Sequence, residues 1–331
     1  MLKKIVATIV AGVISANAAN ISGAGASFPA PVYFDWAYTY QKSTGNQVNY
    51  QSIGSGGGIK QISARTVNFG ASDKPLKPRK LNKKGLYQFP AVIGSIVVVY
   101  NIPGVKDGEL KIENKDLADI FMGKIKYWDD KRIAEDNPSL KLPHKEIVVC
   151  HRADGSGTTF NFSYFLSHVS KDWANNVGIG KALDWPTGLG GKGNEGVSSL
   201  ISQNPYSIGY VEYAYKLRNG FAAAILQTKS GKWVEAKEEN FKAAAKYAKW
   251  SVKDHFYEIL ALQPGDNSYP IVAATFILLP REKTEMNKGV VKFFDFAFKN
   301  GDKDAKKLGY IPLPEQTKDM IRKYWKKHKI Y

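Results

Sequence analysis

The sequence predicts an α/β fold, and three observations favour that class. Strand and helix signals alternate along the 331 residues, which is typical of a sheet covered by helices. No sequence repeat or low-complexity linker interrupts this alternation. Three glycine-rich loops each open a helix signal, at residues 23–27, 54–58 and 151–157. Without a short N-terminal leader, roughly 310 residues remain, and this length favours two domains rather than one.

The first 18 residues predict a cleavable export signal. Lys3 and Lys4 precede an apolar, uncharged run over residues 5–16, and Ala16-Asn17-Ala18 has the pattern of a cleavage site. The run is too short to cross a hydrocarbon layer of roughly 30 Å, so a buried N-terminal helix is the alternative. No cysteine follows the site, which argues against a lipid anchor. We expect residues 1–18 to be removed and the rest of the chain to be exported.

The formal net charge of the chain is +17, which attracts anions over long distances. The charge alone is compatible with nucleic acid, acidic lipid or small oxyanions as the partner. Much of the excess is scattered lysine, as in KPRKLNKK (77–84) and RKYWKKHKIY (322–331), which is typical of solvated helices and loops. A nucleic-acid binder more often gathers its charge in a stripe with stacking aromatic residues. Because no such block occurs, we expect no nucleic-acid partner.

The chain has a single cysteine, Cys150, and therefore cannot form an internal disulfide. A chain of this length can bury a sizeable core without such links. Cys150 ends the apolar, β-branched run 147–150, so we expect it to be a small core residue rather than a catalytic thiol.

Each glycine-rich loop stands before an amphipathic helix pattern. The first, a Gly-Ala-Gly turn with Ser27 behind it, precedes a stripe of Val32, Trp36 and Tyr40, with Pro29 and Pro31 at first-turn positions. The second follows a strand pattern over residues 47–53 and precedes IKQISA. The third, HRADGSG, follows the strand 147–150. The helix expected after it has four apolar residues on one face: Phe162, Phe165, Leu166 and Val169.

Such loops favour anion binding when several occur together. A helix N-terminus exposes unpaired N–H groups and a partial positive charge, and glycine lets an anion approach that backbone closely. One Gly-Ser loop is weak evidence, but three in one chain, one of them carrying Arg152, predict an anion site. A fourth segment, the strand pattern 67–73, ends on Asp73. Ligands of open α/β sheets lie beyond the carboxyl ends of strands, although a turn or helix cap is an equal alternative for Asp73.

Six segments resemble the phosphate-binding proteins that serve high-affinity phosphate ABC importers. They are GAGASFPAPVYFDWAYTYQKSTGNQVNYQSIGSGGGIKQI, FGASDKPL, LADIFMGKIKYWDD, HRADGSGTTFNFSYFL, WPTGLGGKGNEGV and IGYVEYAYK. Their order and spacing are similar to the family's across nearly the whole chain after the leader.

The resemblance implies a two-lobed periplasmic binding protein of type II, with a ligand cleft that closes between the lobes. We expect its two crossover segments near residues 89–93 and 269–274. One lobe then comprises residues 19–92 and 272–331, and the other comprises residues 93–271. The family also implies a periplasmic location, a monomer, inorganic phosphate as the ligand and an inner-membrane phosphate ABC permease as the partner. Arsenate, with phosphate-like protonation, is a second expected ligand.

The resemblance carries the family's phosphate contacts onto nine residues of this chain. They are Ser27, Phe28 (through its backbone N–H), Ser55, Asp73, Arg152, Asp154, Ser156, Gly157 and Thr158. Asp154 matches the carboxylate that pairs with the arginine. Three positions depart from the family pattern: Ser27 stands where threonine is common, Gly56 where a serine is common, and His151 where a second arginine often precedes the contact arginine.

Two of these residues carry a specific chemical expectation. The planar guanidinium of Arg152 matches two phosphate oxygens, and Asp154 can hold it in place. Asp73 should repel an anion unless the ligand supplies a proton. Phosphate at neutral pH always has an O–H group and sulfate has none, so a buried Asp73 favours phosphate over sulfate.

Two other classes of function are the alternatives. A phosphate-ester hydrolase needs a nucleophile or a metal, but neither G-x-S-x-G nor H-E-x-x-H occurs, and the five histidines are scattered. We therefore expect no enzyme activity, metal or cofactor. A basic surface-binding protein would lose its affinity steeply with added salt.

Two remaining motifs have plainer interpretations. GLGGKGNEG (188–196) lacks the first glycine and final hydroxyl of a P-loop and is expected to form a turn, with a position lining the cleft as a further option. The aromatic residues of IGYVEYAYK (208–216) and Trp128 are expected in the core rather than as stacking platforms.

Overall fold

The structure is a computed structural model that describes residues 20–330. The expected export signal, residues 1–18, therefore lies outside the described residues. Within residues 20–330, no helix combines the length and the apolar character that crossing a membrane requires.

The described strands and helices alternate as the sequence predicts. The strands are β1 Asn20–Gly25, β2 Gln47–Ser52, β3 Phe69–Ser72, β4 Leu86–Asn101, β5 Val148–Arg152, β6 Leu189–Gly191, β7 Ser207–Glu212, β8 Ala222–Ala223, β9 Leu226–Gln227, β10 Trp233–Val234 and β11 Val272–Pro280. The helices are α1 Ala30–Thr44, α2 Gly54–Ala64, α3 Pro78–Lys84, α4 Asn114–Phe121, α5 Lys131–Asp136, α6 Gly157–Val169, α7 Lys171–Asn176, α8 Gly193–Gln203, α9 Tyr213–Asn219, α10 Glu238–Ala245, α11 Thr284–Asn300, α12 Asp302–Lys307 and α13 Glu315–Lys327.

The long strand β4 joins two halves of one sheet path, whose order is β2-β1-β3-β11-β4-β7-β5-β6. Its residues Leu86 to Ser95 pair antiparallel with β11, and its residues Ile96 to Asn101 pair antiparallel with β7. We call β2, β1, β3 and β11 the first half and β7, β5 and β6 the second half. The expected boundary at 92/93 lies inside β4, and the boundary at 271/272 lies directly before β11. The division into lobes at these residues stays a prediction.

Within each half, parallel pairing places the loops that follow the strands at the same edge of the sheet. In the first half β1 pairs parallel with β2 and with β3, and in the second half β5 pairs parallel with β6 and with β7. Parallel strands end at the same edge of a sheet, and binding sites of such sheets lie there. The segments that follow β1, β2, β3, β5 and β6 can therefore meet at one place.

The local predictions hold, with small differences at the boundaries. In β2 the residues Val48 and Tyr50 are buried and their neighbours are exposed, as the alternation predicts. In α6 three of the four predicted residues are buried and Val169 is partly buried. The Gly-Ala-Gly turn is a wrong prediction, because Gly23 to Gly25 form the end of β1, pressed against β3. An added Cβ at Gly23 would lie 2.1 Å from the ring of Phe69, so glycine allows this contact.

The core predictions are also confirmed. Cys150 is fully buried and free, and burial raises the pKa of its thiol to about 12, so it has no thiolate character near neutral pH. Trp128 and Tyr210 are fully buried, and the other aromatic residues of IGYVEYAYK are nearly so. These aromatic residues pack the interior of the second half.

Candidate functional site

Two loops from opposite halves of the sheet touch at the candidate site. The backbone N–H of Gly56, behind β2, donates a hydrogen bond of 2.6 Å to the carbonyl oxygen of Gly155, behind β5. Added Cβ atoms at Gly56 and Gly155 would each lie 3.0 Å from the Cα atom of the other. Glycine at both positions therefore allows this close approach without a shift of either backbone.

Asp73 lies in the space that these loops enclose. It follows β3 and is 2% exposed, and its backbone N–H donates to the Ser55 hydroxyl at 3.2 Å. Its Oδ2 atom lies 3.4 Å from the same hydroxyl, whereas Oδ1 is buried and has no hydrogen-bond partner among residues 20–330. A buried oxygen without a partner is costly, so it is a candidate contact for a ligand that donates a proton.

The environment of Asp73 favours its protonated form. Burial raises the pKa of its carboxyl to about 7, against smaller lowering effects of the nearby Thr275 hydroxyl, the charge of Arg152 and the Ser55 hydroxyl. The Thr275 hydroxyl is close to the carboxyl but makes no hydrogen bond of normal geometry. Gly157 adds to this enclosure, because a Cβ there would lie 2.5 Å from Ser55 Oγ and 2.7 Å from Asp73 Oδ2. The site therefore has an acceptor that carries or shares a proton near neutral pH.

Arg152, the last residue of β5, supplies a buried cation. Its Nε and Nη2 atoms each donate to a carboxylate oxygen of Asp154 at 2.7 Å, and its Nη1 lies 3.3 Å from Thr158 Oγ1. Burial raises the pKa of Asp154, but the hydrogen bonds and charge of Arg152 outweigh it and lower that pKa. The expected pairing is present, and it holds the guanidinium plane toward Thr158.

Ser27 and Thr158, from different halves, meet through a residue that the sequence prediction did not name. Asn194, near the start of α8, donates from its backbone N–H and its Nδ2 to Ser27 Oγ at 2.9 and 2.8 Å, and its Nδ2 lies 3.4 Å from Thr158 Oγ1. Glu212 positions it, because its backbone N–H donates to Asn194 Oδ1 at 3.0 Å.

The segment GLGGKGNEG is thus part of the site and not only a turn. It forms β6 and the beginning of α8, and its Gly193 N–H donates to Asp154 Oδ1 at 3.1 Å. Glu195 accepts hydrogen bonds from Ser52 and Tyr215, and the Tyr215 hydroxyl lies within 2.8 Å of Ser27 O as well. The signal was present in the sequence, since this segment also places glycines before a helix.

The remaining predicted residues have supporting positions. Ser156 caps α6, because its hydroxyl accepts from the Thr159 N–H at 2.9 Å. Phe28 is fully buried, and its carbonyl oxygen accepts from the Tyr310 hydroxyl at 2.6 Å. Asn161, which sequence reasoning missed, donates from Nδ2 to both Asp73 O and Gly157 O at 2.9 Å. It joins the end of β3 to the first turn of α6.

A second buried acid lies behind the site. Glu212 is fully buried at the end of β7, and its Oε2 accepts from the Ala214 N–H at 2.7 Å. Burial raises the pKa of Glu212 well above its usual range, and the nearby Asp73 raises it further. Because Asp73 and Glu212 favour neutral forms, the charged groups of the enclosure are Arg152 and its ion-pair partner Asp154.

The arrangement defines a class of protein. Four helices, α1, α2, α6 and α8, begin at the same enclosure, and their N-terminal dipoles and the Arg152 cation favour an anion. No group of three or more His, Cys, Asp or Glu residues within 20–330 could hold a metal ion. A two-lobed α/β molecule with an anion-selective enclosure between two halves of a sheet is a solute-binding protein.

Comparisons with known proteins agree with this class. A family model described as a PBP superfamily domain matches residues 13–300. The chain is 53% identical over 313 residues to the phosphate-binding protein PstS of Haemophilus influenzae, covering 94% of each chain. It is 39% identical over 321 residues to the PstS protein of Methanocaldococcus jannaschii, covering 88% of this chain and 82% of the other.

Solved structures share the fold at lower identity. A phosphate-binding protein from Stenotrophomonas maltophilia is 19% identical, with a TM-score of 0.65, covering 92% of this chain and 93% of the other. A periplasmic phosphate-binding protein called PfluDING, solved with bound phosphate, is 20% identical with a TM-score of 0.73 at the same coverage. This chain belongs to the PstS family of phosphate-binding proteins. The expected family and the two-lobed α/β fold are thus confirmed.

Proposed function

We propose that this protein binds inorganic phosphate in the periplasm and delivers it to an inner-membrane phosphate ABC permease. The observation that carries the proposal is the buried, unpartnered Oδ1 of Asp73 within the enclosure that Arg152 and four helix N-termini share. Phosphate is a tetrahedral oxyanion that offers both negative charge for the donors and an O–H group for this acceptor. The relatives from Haemophilus influenzae and Methanocaldococcus jannaschii are named phosphate-binding proteins, which supports phosphate as the ligand.

We assign the contacts as the sequence analysis expected. The guanidinium of Arg152 faces the phosphate with Nη1 and Nη2, while Asp154 keeps it in place. Hydroxyl and backbone donors come from Ser27, Phe28, Ser55, Ser156, Gly157 and Thr158. Charge-assisted hydrogen bonds contribute roughly 1.5–3 kcal/mol each, so these donors can supply the roughly 8–12 kcal/mol of micromolar to nanomolar affinity without a metal.

The geometry supports binding without chemical conversion. Ser55 and Ser156 have no histidine partner among the hydrogen bonds of the described residues, so no base activates them as nucleophiles. We therefore infer a binding protein without hydrolase activity. The lobes are inferred to be residues 19–92 with 272–331, and residues 93–271, since β4 changes its pairing partner between Ser95 and Ile96. A periplasmic location after removal of residues 1–18, a monomeric state and comparable binding of arsenate belong to the same proposal.

Calorimetric titration of phosphate-stripped protein tests the function. Phosphate should bind with a stoichiometry of one, and sulfate should bind at least about a hundredfold more weakly because it leaves Asp73 unsatisfied. Equal affinity for the two anions would contradict the proposed recognition. Incubation with a chromogenic phosphate ester should release no product, and turnover by the purified protein would favour the hydrolase alternative.

A further inference from the structure

A groove lined by cations lies beside the candidate phosphate site but is not part of it. Its volume is about 670 Å³, and the lining includes five cations, Lys74, Lys77, Arg79, Lys80 and Lys83. The first of these follows Asp73, and the others lie in or next to α3. The opposite wall comes from α6 and from segments 179 and 257–259, so the groove runs between elements of the two halves of the sheet. We call it the basic groove.

The cations of the basic groove are not neutralised by the protein. No carboxylate lines the groove, and none of its five cations takes part in an ion pair of the described residues. Burial lowers the pKa of Lys74, and the charges of Lys80 and Lys77 lower it further, because like charges crowd one rim. An anion would relieve this repulsion.

The floor of the basic groove is apolar and aromatic. Leu76, Phe160, Tyr164, Ile179 and Tyr257 line it, and the ammonium nitrogen of Lys74 lies 4.3 Å from the centroid of the Phe160 ring. Ile179 is 45% exposed there, so it adds accessible apolar surface to this aromatic floor. An inorganic anion would leave this floor uncovered, whereas an anion with rings or an acyl chain would cover it.

We propose that the basic groove binds a small organic anion that carries an aromatic or acyl group. Its volume lies in the range of roughly 300–1,000 Å³ that small-molecule pockets occupy, which favours a small molecule over a folded partner. The charged group of the ligand faces Lys77, Lys80 and their neighbours on the rim. The apolar part lies on Phe160, Tyr164 and Ile179. The site is separate from the phosphate enclosure, so both can be filled together.

The test uses anilinonaphthalene sulfonate as the probe and the full protein saturated with phosphate. Saturation keeps the probe out of the phosphate enclosure, and Asp73 disfavours a fully ionised sulfonate there. Fluorescence titration should show one saturable site per chain. Phenylnaphthylamine, which keeps the rings and lacks the sulfonate, should bind at least about tenfold more weakly because it leaves the cations uncompensated.

Two pairs of variants locate the bound probe. Lys77→Glu with Lys80→Glu should weaken sulfonate binding by at least about tenfold, since two attractive charges become repulsive. Lys141→Glu with Lys303→Glu changes the charge equally at two exposed lysines outside the groove and should leave the affinity within about twofold. Ile179→Ser should also weaken binding, whereas Leu217→Ser, a 43% exposed aliphatic residue elsewhere, should not.

Three results would overturn the proposal. They are the absence of saturable sulfonate binding, an equal effect of the two charge-reversal pairs, and binding of a glutamate-rich peptide in the groove without binding of the sulfonate. Phosphate affinity, measured by calorimetry in the same variants, should stay within about twofold of the wild type because none of the substituted residues lies in the phosphate enclosure. If the phosphate proposal fails, calorimetry will show no phosphate binding, whereas the fluorescence titration with the sulfonate will still show the site in the basic groove.

Discussion

At the scale of single residues, Asp73 combines burial, a missing partner for Oδ1 and a pKa raised to about 7. The ionised form of such a carboxyl is costly, and it is satisfied when a ligand donates a proton to it. On the proposed function, we expect this single acceptor among many donors to favour phosphate over sulfate.

Replacing this acceptor should reduce selectivity. For Asp73→Asn we expect the ratio of phosphate to sulfate affinity to fall at least about tenfold, because the amide can donate to sulfate and no longer requires a ligand proton. Calorimetric titration with both anions measures the ratio. Asp116→Asn, at a buried acid outside the enclosure, is the control and should keep the wild-type ratio. An unchanged ratio in Asp73→Asn would remove this role.

The same substitution should change how stability depends on pH in phosphate-free protein. The pKa of Asp73 is about 7 in the fold against an ordinary value of 3.8, so between these values the folded chain holds a proton that the unfolded chain has lost. Asp73 therefore lowers the free energy of unfolding as pH rises through this window. Asp73→Asn should gain stability over the wild type from about pH 4 to about pH 7, with no further gain above. Chemical unfolding at several pH values measures the difference, and a gain independent of pH would contradict the expectation.

Arg152 contributes shape as well as charge. Arg152→Lys keeps the positive charge but loses the two hydrogen bonds to Asp154 and the planar guanidinium that can contact two oxygens of the ligand. The free energy of phosphate binding should therefore weaken by roughly 2–3 kcal/mol. Arg132→Lys, at an arginine that pairs with Asp119 and Asp130 on the surface of α5, serves as the matched control. Its phosphate affinity should equal that of the wild type. Equal losses in both variants would mean that the planar guanidinium has no specific part in binding.

At the scale of elements, each contributing helix begins where a strand end or glycine loop brings backbone N–H groups to the enclosure. Gly157 shows how closely the elements approach, because it is the first residue of α6 and lies against Ser55 of α2 and Asp73 behind β3. A methyl group there would separate the two halves of the site.

Gly157→Ala should therefore weaken phosphate binding at least about tenfold, since its Cβ would lie 2.5 Å from Ser55 Oγ. Gly289→Ala is the control, because a Cβ at this position within α11 has its nearest neighbours at 3.8 Å. That variant should bind phosphate as the wild type does and unfold at the same or a slightly higher temperature. Full affinity in Gly157→Ala would show that the loops do not approach this closely around the ligand.

At the scale of the whole molecule, contacts such as Gly56 with Gly155 and Ser27 with Asn194 join the two halves of the sheet. The positive ends of four helices and Arg152 converge between them, and they repel one another unless an anion lies there. The ligand is thus expected to hold the halves together.

Removal of phosphate should therefore open the molecule. Small-angle X-ray scattering of phosphate-stripped protein should give a larger radius of gyration, and phosphate should reduce it to that of the structure described above. Sulfate at the same concentration should have little effect because it binds weakly. A radius that does not respond to phosphate would mean that binding occurs without a change in the angle between the halves.

Much of this organisation is determined by sequence alone. Apolar residues recur every two positions in β2 and about every 3.6 positions in α1 and α6. These periods match the geometry of a strand and of a helix, so the sequence alone identifies the three elements. Glycine loops before helices, together with long segments that resemble one family, point to nine candidate residues, all of which lie at or around one enclosure.

Tertiary structure alone decides the contacts between distant residues. Asn194 meets Ser27 across 167 positions and Asn161 meets Asp73 across 88, and no local pattern records such distances. The pKa of Asp73 and the charge of the basic groove are also products of packing. Burial and neighbouring charges depend on which elements come together in space, whereas periodicity depends on the neighbours along the chain.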